Sequence, residues 1–134
     1  MAEAEKIIES SNKILVVDDD PDFCEVAKFH LEQILDKKYE LEFAENGIEA
    51  VEKFDKYHPK ITVLDIILPQ KSGFLVLEHI KKITKENPSY VIMVTAHQGR
   101  RHRQYAENLG ANEYLVKPFK MEELARIVKI YMEK

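Results

Sequence analysis

Hydrophobic residues along the chain collect into five short runs, and the segments between these runs place apolar residues three or four positions apart. Val, Ile and Leu fill three of the runs almost without interruption, which is typical of strands covered on both faces. The run at 40–44 instead alternates polar and apolar residues, which predicts a strand at an edge of the sheet. The predicted strands are residues 13–17, 40–44, 61–64, 90–94 and 113–116.

The intervening segments have the period of amphipathic helices. Pro21 suits the first turn of the first helix and Asp20 can cap its N-terminus, while Ser72 can cap the third helix. Gly110 suits the end of the fourth helix. The predicted helices cover residues 21–35, 47–57, 73–83, 104–110 and 120–134.

Strand and helix thus alternate five times, which predicts an α/β domain with a doubly wound parallel sheet and helices on both faces. We expect residues 1–12 to be an N-terminal lead-in and residues 13–134 to form one domain, which is long enough for a single core. Ligands of such sheets bind beyond the carboxyl ends of the strands. The residues at those ends are therefore the first candidates for chemistry.

The composition excludes several classes of partner. A net charge of −4 gives the chain no general nucleic-acid footprint, and no apolar run is long enough to span a membrane. The start of the chain carries acidic residues and no long apolar stretch, unlike a secretory signal. Cys24 is the single cysteine and suits a reducing compartment. We therefore expect a cytoplasmic protein without direct contacts to nucleic acid or membrane.

Polar residues stand where four of the predicted strands end. Each has an ordinary explanation, because an aspartate after a strand often caps a helix and a lysine before a proline is usually solvated. A parallel sheet, however, brings the carboxyl ends of its strands to one edge, so these side chains would meet there. They are Asp18, Asp19 and Asp20 after the first strand, Asp65 after the third, Thr95 at the end of the fourth and Lys117 after the fifth.

Such a group of side chains suits phosphoryl chemistry. Clustered carboxylates repel one another, and a hard divalent cation such as Mg²⁺ relieves that repulsion because it prefers oxygen ligands. A cation held by carboxylates beside a lysine and a hydroxyl can hold a phosphoryl group. Asp65 could then act as a nucleophile that forms an acyl phosphate.

Four motifs carry a resemblance to a known family: "VVDDDP", "VLDIILPQKSG", "VTA" and "LVKPF", in this order. The chain resembles the response-regulator receiver domain of two-component signal transduction, from residue 13 to about residue 133, and in particular stand-alone receivers of the chemotaxis or phosphorelay type. A receiver cut from a longer chain fits the sequence equally well. The resemblance implies a flavodoxin-like fold with strand order 2-1-3-4-5 and five helices.

The resemblance also implies a metal site and a phosphoacceptor. Asp65 is the implied phosphoacceptor and one ligand of Mg²⁺, for which Mn²⁺ can substitute. Asp19 is the implied second direct ligand, and Asp18 acts through water. The backbone carbonyl of Ile67 completes the ligands from the protein.

Further roles carried over from the family concern the phosphoryl group and the switch. The Thr95 hydroxyl and the Ala96 backbone N–H are expected to contact the phosphoryl group, and Lys117 to pair with Asp65. Tyr114 matches the aromatic switch position, which works together with Thr95. The bond between Lys117 and Pro118 is expected to be cis.

The implied function is that of a switch. A sensor histidine kinase or a histidine phosphotransfer protein donates the phosphoryl group, and the protein is expected to catalyse its own phosphotransfer and dephosphorylation rather than to act as a conventional enzyme. Phosphorylation then changes the face formed by the fourth helix, fifth strand and fifth helix, where an output protein binds. Arg100, Arg101 and Arg103 near that face are either solvated or a docking surface for an acidic partner.

Two other classes of function remain open. Asp18 and Asp20 form an Asp-x-Asp pair like that of haloacid-dehalogenase-type phosphotransferases and phosphatases, although this interpretation gives Asp65 no role. The second alternative is an interaction module that never uses phosphate. The identity of the phosphorylated residue tests the first alternative, and Mg²⁺-dependent binding of beryllofluoride, a phosphate mimic, tests the second.

Overall fold

The computed structural model describes residues 11–83, 89–96 and 99–134, in which strands and helices alternate along the chain. The strands are β1 (Ser11–Val17), β2 (Glu40–Ala44), β3 (Pro59–Leu64), β4 (Tyr90–Thr95) and β5 (Glu113–Val116). The helices are α1 (Pro21–Ile34), α2 (Gly47–Tyr57), α3 (Gly73–Ile83), α4 (Arg100–Asn108) and α5 (Met121–Met132). No helix in these ranges has the length and apolar character needed to cross a membrane.

The five strands form one parallel sheet in the order β2-β1-β3-β4-β5. This order confirms the doubly wound α/β fold and places β2 at an edge, as its alternating pattern predicts. Because successive residues of a strand point to opposite faces, β1 supplies both halves of the core. Ile14 and Val16 pack on the side of α1 and α5, whereas Leu15 and Val17 pack on the side of α2 and α3.

Two helices begin at the capping side chains that the sequence predicts. The Asp20 carboxylate accepts a hydrogen bond from the Asp22 N–H at 3.0 Å, so Asp20 caps α1. The Ser72 hydroxyl accepts from the Leu75 N–H at 3.4 Å at the start of α3. Both predicted caps are therefore confirmed, and each fixes a helix directly after a loop at the carboxyl edge of the sheet.

Several boundaries differ from the sequence prediction, most of them by one or two residues. α4 begins at Arg100, four residues before the predicted start at 104. The sequence pattern does not show its first turn, because that turn is polar and only Ala106 of the helix is buried. α5 ends at Met132. β1 begins at Ser11 rather than at residue 13, since the Ser11 N–H donates to the His58 carbonyl at 2.7 Å and extends the ladder beside β3. Residues 1–10 of the predicted lead-in lie outside the described residues.

The loop between β3 and α3 folds back on the end of β3. The Gly73 N–H donates to the Ile66 carbonyl at 2.8 Å, and the Gly73 backbone approaches that of Asp65 closely. A Cβ on Gly73 would lie 2.0 Å from the Asp65 carbonyl oxygen, so any side chain would displace the loop. The absence of a side chain at Gly73 thus lets α3 begin directly against the residue that ends β3.

Thr62 allows a test of how the core tolerates a polar atom. Its side chain is fully buried in β3, and its hydroxyl has no hydrogen-bond partner in the part of the chain that the structure describes. Thr62→Val keeps the branched shape and removes the unpaired hydroxyl, so we expect the free energy of unfolding to rise by about 1 kcal/mol. Thr62→Ser keeps the hydroxyl and should lower it by about 1 kcal/mol. Urea unfolding measures both, and a Val variant less stable than the wild type would contradict the expectation.

Gly73 allows a second stability test, with Gly99 as its control. Gly73→Ala forces a methyl group against a backbone carbonyl, and we expect it to lower the free energy of unfolding by about 2–3 kcal/mol. Gly99 has φ −61°, and the nearest atom to an added Cβ there is on the His102 ring at 3.2 Å. Gly99→Ala should therefore cost less than about 1 kcal/mol. Equal losses in the two variants would show that the close approach at Gly73 does not constrain the loop.

Candidate functional site

The carboxyl edge of the sheet brings together the side chains predicted from the strand ends. Asp18 follows β1, Asp65 follows β3, Thr95 ends β4 and Lys117 follows β5. Asp18, Asp65 and Thr95 are 3%, 8% and 0% exposed, respectively. Polar groups this deeply buried require partners, so their contacts define what the edge can do.

Three carboxylates form a compact acidic cluster at this edge. Asp18, Asp19 and Asp65 each offer an oxygen atom, and the three oxygens lie within 4.8 Å of one another. Asp18 and Asp65 are buried, whereas Asp19 is exposed to solvent. A donor set of carboxylate oxygens that is open on one side fits a hard divalent cation that keeps some of its water. Asp20 does not belong to this cluster; it is exposed and caps α1.

Backbone groups orient the two buried carboxylates. Asp18 accepts a hydrogen bond from the Asp20 N–H at 2.9 Å, and Asp65 accepts one from the Ile67 N–H at 3.2 Å. The strand ends themselves are fixed, since the Asp65 N–H donates to the Val17 carbonyl at 3.2 Å. Each carboxylate is thus held by the loop that follows it, with a second oxygen left for other partners.

Lys117 is the cation that faces this cluster. Its Nζ donates to Asp18 at 2.7 Å and to Asp65 at 3.4 Å. The same Nζ lies 4.3 Å from the centre of the Phe23 ring, a distance typical of a cation–π contact. The bond between Lys117 and Pro118 is cis, which confirms the sequence prediction.

Burial and charge act in opposite directions on the two partners. Burial raises the pKa of Asp18, and the nearby charge of Asp65 adds to this, while Lys117 opposes it. Burial lowers the pKa of Lys117, but its hydrogen bonds and its proximity to Asp18 and Asp65 outweigh burial and raise the pKa overall. Lys117 therefore remains an ammonium and supplies the positive charge that the cluster needs.

The remaining predicted residues surround this centre. Thr95 is buried and Ala96, which follows it, is exposed. Tyr114 is 6% exposed and pairs in register with Met93 of β4. The side chain of Ile67 is 59% exposed, although its backbone N–H contacts Asp65. The contribution of the Ile67 carbonyl to a metal site stays a prediction.

Two contacts of the site had no signal in the sequence. Phe23 fits the apolar stripe of α1, and nothing in that pattern indicates that its ring lies beneath Lys117. Arg103 of α4 places its guanidinium carbon 5.7 Å from the centre of the Tyr114 ring. Both are cation–aromatic pairs between different segments of the fold, so only the fold reveals them.

The sequence of the chain matches a family model and known relatives. Residues 14–129 match the family model described as the response regulator receiver domain. The "Uncharacterized 14.6 kDa protein in sodA1 3'region" of Leptolyngbya boryana is 36% identical over 118 residues, which are 88% of each chain. The transcriptional regulatory protein TrcR of Mycobacterium tuberculosis is 34% identical over 84% of this chain and 42% of its own length. The chain thus spans less than half of that regulator.

Solved structures show the same fold. A CheY-like receiver domain protein from Methanospirillum hungatei JF-1 superposes with a TM-score of 0.81 at 29% identity, covering 92% of this chain and 95% of the other. A BeF3-activated DrrB receiver domain gives 0.79 at 29% identity, with coverages of 91% and 97%. From the match to the family model, the related sequences and the shared fold, we conclude that this chain belongs to the response regulator receiver domain family.

Proposed function

We propose that this receiver is a signalling switch that accepts a phosphoryl group on Asp65 from a histidine kinase or a histidine phosphotransfer protein. Membership of the family implies phosphorylation-dependent signalling. One observation supports Asp65 as the acceptor: its buried carboxylate shares a cluster with Asp18 and Asp19 and lies 3.4 Å from the ammonium of Lys117. Asp18 has similar surroundings, but it is less exposed than Asp65 and Lys117 holds it more closely, at 2.7 Å.

The transfer exchanges one bond to phosphorus for another. A carboxylate oxygen of Asp65 forms the new P–O bond while the P–N bond to the donor histidine breaks. The imidazole nitrogen keeps the electron pair of that bond and takes up a proton from solvent. Hydrolysis of the acyl phosphate later restores the Asp65 carboxylate and releases inorganic phosphate, so the chain catalyses both steps on itself.

The acidic cluster is proposed as the site of Mg²⁺, for which Mn²⁺ can substitute. Asp19 and Asp65 would be direct ligands, Asp18 would act through water, and the Ile67 backbone carbonyl would complete the protein ligands. Carboxylate and carbonyl oxygens are the donors that this cation prefers. When bound, the cation would supply charge neutralisation on the phosphoryl oxygens.

Lys117, Thr95 and Ala96 have separate roles in this proposal. Lys117 already lies between Asp18 and Asp65, and its ammonium can turn to an oxygen of the phosphoryl group without leaving the edge of the sheet. The Thr95 hydroxyl and the Ala96 N–H are proposed to donate hydrogen bonds to other phosphoryl oxygens. Three donors from two strand ends would thus surround the new group.

Output is proposed to occur through the face formed by α4, β5 and α5. Phosphorylation adds charge and acceptor oxygens at the edge of the sheet, which draws Thr95 toward them and lets Tyr114 occupy the space behind it. A nearly complete change of state requires the phosphoryl group to favour the active form by about 5 kcal/mol. The proposed output partner is a protein that recognises this face. The lone thiol of Cys24 suits a reducing compartment, so we propose that the receiver acts in the cytoplasm.

The geometry disfavours the alternative phosphotransferase that would use Asp18 and Asp20. The Asp20 carboxylate is engaged by the Asp22 N–H as the cap of α1, and it lies outside the acidic cluster. Asp18 is 3% exposed and lies 2.7 Å from Lys117, whereas Asp65 is 8% exposed and lies 3.4 Å from it, so Asp18 is the less accessible of the two carboxylates. Asp65 is therefore the better candidate for the nucleophile.

Labelling with a small phosphodonor tests the acceptor. Wild-type protein incubated with radiolabelled acetyl phosphate and Mg²⁺ should become labelled, and Asp65→Asn should abolish the label because an amide forms no acyl phosphate. Asp20→Ser is the matched control, since serine preserves the helix cap; its labelling rate should stay within about twofold of the wild type. A labelled Asp65→Asn protein, or loss of label in Asp20→Ser, would favour the Asp18 and Asp20 alternative.

The metal site can be tested without a phosphodonor. Binding of Mg²⁺ to the folded state should raise the free energy of unfolding by about 1.4 kcal/mol at ten times the dissociation constant. Asp19→Asn removes a direct ligand and should lose this stabilisation, whereas Asp20→Ser should keep it. Urea unfolding at increasing Mg²⁺ concentrations gives the result, and equal stabilisation of Asp19→Asn and wild type would contradict the assignment.

A further inference from the structure

The ring of Tyr114 is covered on its outer side by a cation. Tyr114 belongs to the part of the core that includes Met93 of β4 and Ala106 of α4. The guanidinium carbon of Arg103 lies 5.7 Å from the centre of its ring, within the range of a cation–π contact. The ring is therefore held between the sheet and the side chain of Arg103.

The side chain of Arg103 is itself oriented by its own helix. Its Nε lies 3.4 Å from a carboxylate oxygen of Glu107, one helical turn further along α4. The side chain of Arg103 is 57% exposed, so it contributes little to the core of the domain. Within the described residues, its side chain contacts Glu107 of its own helix and the ring of Tyr114.

α4 is attached to the domain by few buried groups. Ala106 is the only buried residue of α4, and Gly99 at the N-cap position provides no side-chain cap. Arg100 and Arg101 occupy the first turn, where positive charge opposes the helix dipole. An element with so little buried surface belongs to the less stable part of a fold and can shift at low cost.

The other attachments of α4 are aromatic. His102 stacks on Phe74 of α3 with ring centres 6.1 Å apart, and Tyr105 meets the same ring edge-on at 4.8 Å. These contacts join α4 to α3, whereas Arg103 joins it to β5. Arg103 is therefore placed to sense a change at Tyr114.

We propose that Arg103 is a positioning residue of the switch: its guanidinium holds the ring of Tyr114 against the sheet and transmits movements of that ring to α4. The proposal rests on the proposed function, because it gives Tyr114 a role in the response to phosphorylation. A ligand that favours the buried ring also favours the position of Arg103 over that ring. By linkage, the contact of Arg103 with the ring in turn raises the affinity for that ligand. The basic surface of α4 would then change with the state of Asp65.

The expected size of the effect follows from the contact itself. A cation–π pair at an exposed site changes an equilibrium constant by a factor of about two to five. Removing the guanidinium should therefore shift the population of the buried ring by that factor and leave the fold intact. The affinity for a phosphoryl mimic that favours the buried ring should fall by at most the same factor, since the ring is already buried in this structure.

The first experiment measures the ring without any ligand. The protein is labelled with 3-fluorotyrosine, and the Tyr114 signal is assigned by its loss in Tyr114→Phe. Exchange from H₂O to D₂O shifts the fluorine signal of an exposed ring more than that of a buried one. We expect this solvent shift to at least double in Arg103→Gln and to change less in Arg103→Lys, which retains the charge without the planar group.

Arg101→Gln is the matched control, because it removes the same charge from the same helix two residues away from Arg103. The Tyr114 signal of Arg101→Gln should match that of the wild type. Circular dichroism and urea unfolding of both variants verify that α4 and the domain remain folded. A Tyr114 ring that stays equally buried in Arg103→Gln and Arg101→Gln would overturn the proposal.

The second experiment adds Mg²⁺ and beryllofluoride to the same proteins. The apparent dissociation constant, followed by the Tyr114 fluorine signal, should rise by up to about fivefold in Arg103→Gln and remain unchanged in Arg101→Gln. Equal binding by both variants would overturn the coupling role of Arg103. A wild-type protein that does not bind beryllofluoride would instead contradict the proposed function, and the ring-exposure comparison would still decide whether Arg103 holds Tyr114.

Discussion

The contact of Lys117 with Asp18 and Asp65 is the interaction on which the site depends. Two buried carboxylates beside a third are costly without positive charge, and the ammonium 2.7 Å from Asp18 and 3.4 Å from Asp65 provides it. The same arrangement leaves Asp19 exposed and one side of the cluster open. The open side leaves room for the cation and the phosphoryl group that we propose.

Parallel topology explains why these groups meet although they are distant in sequence. Lys117 and Asp18 are separated by 99 positions, yet both follow strands whose carboxyl ends lie at the same edge. The helix cap at Asp20 and the close approach at Gly73 then fix the two loops that carry the carboxylates. Local chemistry thus sets the orientation of each residue, and the sheet sets the distance between them.

Much of this arrangement could be predicted from the sequence, because strands with continuous apolar runs and helices with a clear period leave few alternative topologies. The order of the sheet, the edge position of β2 and the convergence of Asp18, Asp65, Thr95 and Lys117 are confirmed. The start of α4 was not predictable, since its first turn carries charges in place of an apolar pattern. The contact of Arg103 with Tyr114 depends on how a side chain crosses between elements, which periodicity does not specify.

The central claim is that Asp65 carries the phosphoryl group. Borohydride reduces an acyl phosphate of aspartate to homoserine, so the modified residue can be located by peptide mass spectrometry after incubation with a phosphodonor and Mg²⁺. The account predicts homoserine at position 65 and unmodified aspartate at positions 18, 19 and 20. Homoserine at position 18 or 20, with an intact Asp65, would contradict it.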